Sequence, residues 1–248
     1  MKKILPLLIF FSSFFFSQKI QFKDKNFEKV ILERYDINKN GSIDQNEYSS
    51  VTTINLKGIQ IESYEDVYLF RARKLLLGDF PIKNLIIKNH PTLAVVKCDN
   101  CDLTTFEIEN NPNLNSIYIY KNKLKNIVIK NCPNIDYINL SDNNISEINL
   151  DQFQKLETLH ISNNNLLILN VQNLPKLKLL TLDGNHIKKL DISKNPKLYS
   201  VTTYGNGSKK IDIIKSKDFK GEIVDVNPYI RKKELLPPPP PPAGNHNN

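Results

Sequence analysis

The apolar residues of this chain fall into columns. Pro91, Pro112, Pro133, Pro175 and Pro196 stand on a grid of twenty-one residues, with Gln154 at the one mark in that run where proline is missing. Counting from the mark, place two holds Leu93, Leu114, Ile135, Leu156, Leu177 and Leu198. Place five holds Val96, Ile117, Ile138, Leu159, Leu180 and Val201, and place seven holds Cys98, Ile119, Leu140, Ile161 and Leu182. A second set recurs at places twelve, fifteen and seventeen, as Leu103, Phe106 and Ile108 in one repeat and Leu166, Leu169 and Val171 in a later one. An earlier copy lacks the proline but keeps Leu75, Leu77, Ile82, Leu85 and Ile87, and Ile54, Leu56 and Ile61 read as a still more worn one. A fixed period of this size means stacked coils, each of which buries its apolar side only against its neighbours.

Within a coil, places five and seven, and again fifteen and seventeen, alternate inward and outward with the period of a short strand. Each coil is therefore expected to carry two strand-like edges separated by bends. Place ten is Cys101, Asn122, Asn143, Asn164, Asn185 and Asn206, and a buried amide there has the donors and the acceptor to serve the backbone of a bend. The stretches "LETLHISNNNLLILNV" and "LKLLTLDGNHIKKLDI" resemble leucine-rich repeats, L-x-x-L-x-L-x-x-N/C-x-L, of the short twenty-one-residue type seen in bacterial exported proteins. The resemblance covers residues 51–216. It implies a β-rich solenoid with short strands on both edges, and a binding role that names no target. Cys101 stands where the family accepts Cys for Asn, whereas Thr203 and Ser208 depart from the pattern in the last coil.

The period fails at both ends, and other signals take over. Residues 1–17, "MKKILPLLIFFSSFFFS", have two lysines, an uncharged stretch and a small terminal residue, the layout of a secretory signal cut near Ser17. The stretch is too short to span a bilayer comfortably, and export is the expectation. Residues 18–50 predict a helical cap, because "NFEKVILERY" sets Phe27, Val30, Ile31 and Tyr35 on one helical face. The next twelve residues, "DINKNGSIDQNE", match the EF-hand calcium loop D-x-[DN]-x-[DN]-G-x5-E. Oxygens of Asp36, Asn38, Asn40, Asp44 and Glu47, with the Ser42 carbonyl, suit calcium, a hard cation that takes six to eight of them. Three carboxylates with only Lys39 nearby repel one another unless a counter-ion is present. No second loop exists for this module to pair with, so its expected partner is the first coil of the solenoid. At the other end, residues 217–236 are read as a degenerate C-terminal cap keeping Phe219, Ile223, Val224 and Tyr229, and residues 237–248 as a proline-rich tail with nothing to pack.

Charge changes this picture little. The formal charge of +8 comes almost wholly from lysines spread along the chain, with Arg34, Arg71, Arg73 and Arg231 the only arginines. That pattern argues against nucleic acid, whose readers lean on arginine forks and clustered basic faces. Three cysteines, Cys98, Cys101 and Cys132, leave at least one unpaired. Their repeat positions favour small buried hydrophobes over a redox pair or a zinc site. Places four, six and eight point outward beside the first strand. There Tyr118, Tyr120, Tyr137 and His160 cluster across adjacent coils, with Tyr204 further along, an arrangement suited to protein or glycan recognition. The four histidines form no H-E-x-x-H spacing, and the chain has no glycine-rich phosphate loop or nucleophile elbow, so it is not expected to be an enzyme. Ser162, His160 and Asp183 on the same face leave a hydrolase as the remote alternative. A structural envelope protein without a dedicated ligand is the nearer one. The expected molecule is a monomer with no nucleic-acid partner and no membrane span.

Overall fold

A computed structural model of the chain describes residues 20–207 and 210–226. The secretory stretch, the proline-rich tail, Ser208, Tyr229 and residues 227–236 of the C-terminal cap lie outside the described residues. Two short helices, α1 (Lys25–Tyr35) and α2 (Gln45–Ser50), precede fourteen strands. These are β1 (Thr53–Asn55), β2 (Lys74–Gly78), β3 (Asn84–Lys88), β4 (Val95–Asp99), β5 (Thr105–Glu109), β6 (Ser116–Tyr118), β7 (Val128–Lys130), β8 (Tyr137–Asn139), β9 (Thr158–His160), β10 (Leu179–Thr181), β11 (Lys189–Asp191), β12 (Ser200–Thr202), β13 (Asp212–Ile214) and β14 (Glu222–Val224).

The first edge of every coil joins one parallel sheet of nine strands, in the order β1-β2-β4-β6-β8-β9-β10-β12-β14. Its register is the sequence grid itself: Ile54 faces Leu75, Leu75 faces Val96, Val96 faces Ile117, and so on to Leu180 opposite Val201. The last step slips by one residue, with Val201 opposite Ile223, so β14 supplies a further rung from within the segment read as the terminal cap. The molecule is thus a β-solenoid with its aliphatic columns stacked inside. The residues of places two, five and seven from Leu93 to Leu182 are wholly buried, and Thr203 keeps the place-seven position buried in the last coil.

The second edge is less regular. It forms a three-stranded sheet, β3-β5-β7, and a two-stranded one, β11-β13, with no strand at residues 148–150 or 169–171 between them. The inward residues there, Leu150, Leu169 and Val171, remain buried. Asn149 and Asn170 each accept a hydrogen bond from the backbone two residues on, at 2.9 Å from Asp151 and 3.1 Å from Gln172. Asp191, at the same place in a later coil, accepts from Ser193 in the same way at 2.9 Å and still lies in β11, so this turn alone does not decide whether a strand forms. The side chain of Gln152 replaces part of the missing strand by donating to the Ile129 carbonyl at 2.7 Å.

Asparagine holds the bends. In each coil from Asn122 to Asn206 the place-ten amide donates back to a carbonyl of the preceding coil and to one or two in its own. Its oxygen accepts the N–H of Leu103, Leu124, Ile145, Leu166 or Ile187 of the preceding coil. The opposite bend has a partial counterpart at place twenty. There Asn111 and Asn195 donate to Ile87 and Val171 of the preceding coil, while Cys132, Phe153 and Leu174 fill the positions between. Place nine is left-handed throughout: Asp79, Asn100, Lys121, Asp142, Asn163, Gly184 and Gly205 have φ between 54° and 73°. Asn, Asp and Gly accept that conformation at low cost; nothing local explains Lys121. At Gly184 a Cβ would lie 2.3 Å from Oδ1 of Asn163, so a side chain there would require the Asn163 amide to move.

The cysteine reading needs correction in part. All three are buried, but Cys98 and Cys101 form a disulfide, their Cα atoms 6.0 Å apart. Cys98 is the penultimate residue of β4 and Cys101 follows the turn after it, which brings the two side chains together. Cys132 is free, and burial pushes its thiol pKa up, away from reactivity.

At the N-terminal end α1 lies across the open edge of β1. The Arg34 guanidinium donates to the Asn55 carbonyl and the Tyr35 hydroxyl to that of Thr53, closing edge groups that a further rung would otherwise take. Phe27, Val30 and Ile31 are buried against the first coil, and Phe27 and Phe70 stack at 6.3 Å. Asp24 caps α1 through the N–H groups of Asn26 and Phe27, and its second oxygen accepts those of Glu62 and Ser63. Buried Asp66 in turn accepts the N–H groups of Lys23 and Asp24.

Candidate functional site

Two places bring together the side chains singled out in the sequence. The first is the loop between α1 and α2. Asp36 accepts the N–H groups of Asn40 at 3.0 Å and Gly41 at 2.8 Å, and Asn38 accepts the same Asn40 N–H at 3.0 Å. Asn40 accepts the N–H of Ser42 at 2.8 Å. Oxygens from places one, three and five of the loop therefore turn inward around one bend, made possible by left-handed Lys39 and Gly41. Asn38 donates to Asp44 at 3.2 Å, setting place three against place nine. Glu47, only 4% exposed, closes the loop from the other side. One of its oxygens accepts from Ile37 at 2.8 Å, the other from Asp44 at 3.0 Å, and Asp44 completes the capping box on α2.

Oxygen-only donors of this kind suit a hard cation such as calcium. Among the described residues no lysine or arginine pairs with Asp36, Asp44 or Glu47, so backbone N–H groups and the Asn38 amide are what offset three carboxylates. Nor are three acidic, imidazole or thiol groups gathered anywhere among the described residues. The set in this loop is mixed, with two asparagines and the Ser42 carbonyl beside the acids.

The second place is the outward face of the nine-stranded sheet. Tyr118 on β6 and Tyr137 on β8 stack with ring centroids 4.6 Å apart, and Tyr137 meets His160 on β9 at 5.6 Å. Lys97 on β4 lies 5.7 Å from the Tyr118 ring and 5.9 Å from that of Tyr120, so its cation covers two aromatic faces. It is held there by Asp99 at 2.7 Å. Burial pushes the Asp99 carboxyl pKa up against the pull of Lys97, and the hydrogen bond to Asp99 raises that of Lys97. Burial also raises the Tyr137 pKa and lowers that of His160, which leaves the imidazole uncharged at neutral pH. His160 Nδ1 lies 3.0 Å from the Thr181 hydroxyl.

Tyr118, Tyr137 and His160 thus form a ring-to-ring stripe, Tyr120 joins it through Lys97, and Tyr204 stands apart from it. Its ring is exposed, and its backbone N–H is held by Asp183 at 2.7 Å. Sequence reasoning missed Lys97, Asp99 and Thr181 as members; their places in the outward columns were visible, but the ring contacts that recruit them are not. The Ser162, His160 and Asp183 grouping is not assembled. His160 turns to Thr181, and Asp183 accepts from the Thr202 hydroxyl at 2.6 Å and from the Tyr204 backbone.

On three successive rungs the outward residues are Ser116, Tyr118, Tyr120, Tyr137, Asn139, Ser141, Thr158, His160 and Ser162. None carries a formal charge at neutral pH, in a chain where 24% of residues are charged. All are half-buried, so each shows part of its surface to solvent on a floor fixed by the ladder.

No family model and no curated protein sequence matches the chain. Solved structures do. The crystal structure of internalin C2 from Listeria monocytogenes is 18% identical with a TM-score of 0.51, over 73% of this chain and 94% of that one. An internalin F structure from the same organism is 14% identical over 84% of this chain and 92% of that one, with a TM-score of 0.34. The functional domain of Listeria monocytogenes internalin J, described as including a cysteine ladder, is 15% identical over 82% and 62%, with a TM-score of 0.39. The internalin C2 likeness agrees with a leucine-rich-repeat solenoid; the looser two carry no argument.

Proposed function

We propose that this protein is an exported recognition module that binds a protein ligand on the stripe Tyr118, Tyr120, Tyr137 and His160, with calcium stabilising the N-terminal cap. The observation that carries the reading is the uncharged run of tyrosine, serine, threonine and asparagine across three rungs. Tyrosine gives large contact area at low entropic cost and small polar residues adapt their hydrogen bonds, the composition that antibody paratopes use. Lys97 supplies a cation at one end of the stripe, fixed by Asp99. A glycan ligand uses the same aromatic faces and is the second reading, favoured by the hydroxyl-rich surround.

In intact cells, a photo-reactive residue at position 137 is expected to cross-link one ligand, whereas the same group at exposed Lys83 captures nothing. Tyr118→Ala with an unchanged melting temperature should weaken that ligand at least about tenfold, the usual effect of truncating an aromatic hot spot. Equal capture from both positions, or full affinity in the alanine variant, refutes the reading. Sensitivity of the captured ligand to glycosidases rather than proteases decides for a glycan.

In the cap, Asp36, Asn38, Asn40, Asp44 and Glu47 with the Ser42 carbonyl would hold the calcium. The ion would supply the positive charge that no side chain provides there. Export follows from the amino-terminal "MKKILPLLIFFSSFFFS" alone, and amino-terminal sequencing of the product from culture medium and envelope fractions tests it.

A further inference from the structure

Away from both sites, the entering side of the nine-stranded ladder carries a groove of about 320 Å³ lined by Thr52, Arg71, Arg73, Thr92 and Asn113. Arg71 and Arg73 are exposed on either side of wholly buried Ala72, just before β2, and both line this groove. The backbone beneath them is locked into the ladder on both sides, since the Arg73 N–H donates to Thr52 at 2.8 Å and its carbonyl accepts from Ala94 at 2.8 Å. Thr92 donates to the Ala72 carbonyl at 3.0 Å and Asn113 to that of Pro91 at 2.6 Å, which fixes the opposite wall.

The electrostatics of this groove are one-sided. Lys57, Lys88, Lys97, Lys123 and Lys178 each have an acidic partner. Among the described residues neither Arg71 nor Arg73 has one, and the groove lining contains no acid. The described residues hold three arginines; Arg34 is used on the edge of β1, and the other two meet here. A guanidinium presents parallel N–H donors that match a carboxylate or phosphate, which an ammonium does not.

We propose that Arg71 and Arg73 form an oxyanion-binding site, accepting a carboxylate or a phosphate monoester carried by a ligand. The site is independent of the tyrosine stripe. Calorimetric titration of the full chain at constant ionic strength, with inorganic phosphate in one arm and acetate in the other, tests it. Saturable binding of at least one anion is expected, weakened at least about tenfold in Arg71→Gln/Arg73→Gln and unchanged in Tyr118→Ala. Tighter phosphate identifies a phosphate ester as the ligand chemistry, and tighter acetate a carboxylate. The variant Arg71→Lys/Arg73→Lys keeps the charge and should still bind more weakly, because the fork is gone. Absence of saturable binding with both anions, equal binding in the glutamine variant, or equal competition by chloride overturns the proposal.

Discussion

Asn143 ties four backbone groups of two coils with one side chain. Its oxygen accepts from Leu124 at 3.1 Å, and its amide donates to Ile119 at 2.9 Å, Leu140 at 3.0 Å and Ser141 at 3.3 Å. Removing it leaves the Leu124 N–H unpaired inside the stack, where a buried orphan costs about 1–3 kcal/mol, while the carbonyls of Ile119, Leu140 and Ser141 keep bonds from Asn122, Asn164 and Lys121. Asn143→Ala is expected to lower the unfolding free energy by roughly 1–3 kcal/mol, read from urea denaturation; a loss below about 0.5 kcal/mol contradicts the account. The place-ten column was legible because its residue type repeats. The place-twenty column was not, since Cys132, Phe153 and Leu174 interrupt Asn111 and Asn195, and a bend tolerates an apolar filler once water is excluded.

At the scale of elements, α1 depends on Asp24. Burial alone would raise its carboxyl pKa, but hydrogen bonds from Phe27, Glu62, Ser63 and Asn26 hold it net below the usual 3.8. The ionised form is therefore favoured by folding. Its contribution is fully present above the unfolded pKa and disappears as pH falls through the lower folded value. Asp24→Ala should cost about 1–2 kcal/mol at pH 7, the loss of a helix cap, with the gap from the native chain narrowing below pH 4. A gap independent of pH contradicts the assignment. The helix itself was readable from its apolar face, but the carboxylate's reach to Glu62 and Ser63, thirty-eight and thirty-nine residues away, was not. The second-edge strands show the converse: the pattern predicts strands in every coil, yet Leu150, Leu169 and Val171 stay buried in two coils that form none.

For the whole molecule, stability accumulates through neighbours, so the end of the stack decides how the rest holds. Calcium bound in the loop would act on that end. At ten times a dissociation constant in the range of about 0.1–1 mM typical of extracellular modules, it adds about 1.4 kcal/mol. That corresponds to a rise of a few degrees in melting temperature for a chain of this size. Thermal unfolding with calcium and with a chelator should show that rise in the native chain and none in Asp36→Asn/Glu47→Gln. An equal rise in both, or none in either, removes calcium from the cap.

The sequence alone determined the solenoid, its parallel register and its inward columns, because a repeat of twenty-one residues forces each buried position above its own copy. It also marked the outward tyrosines, since alternation along a strand assigns every side chain to a face. Tertiary structure decided what those outward side chains meet. Lys97 over two rings, His160 against Thr181 rather than Asp183, and the disulfide between Cys98 and Cys101 depend on angles and distances across the stack. A periodic pattern fixes which residues are neighbours, but rotamers and bend geometry fix which of their atoms touch.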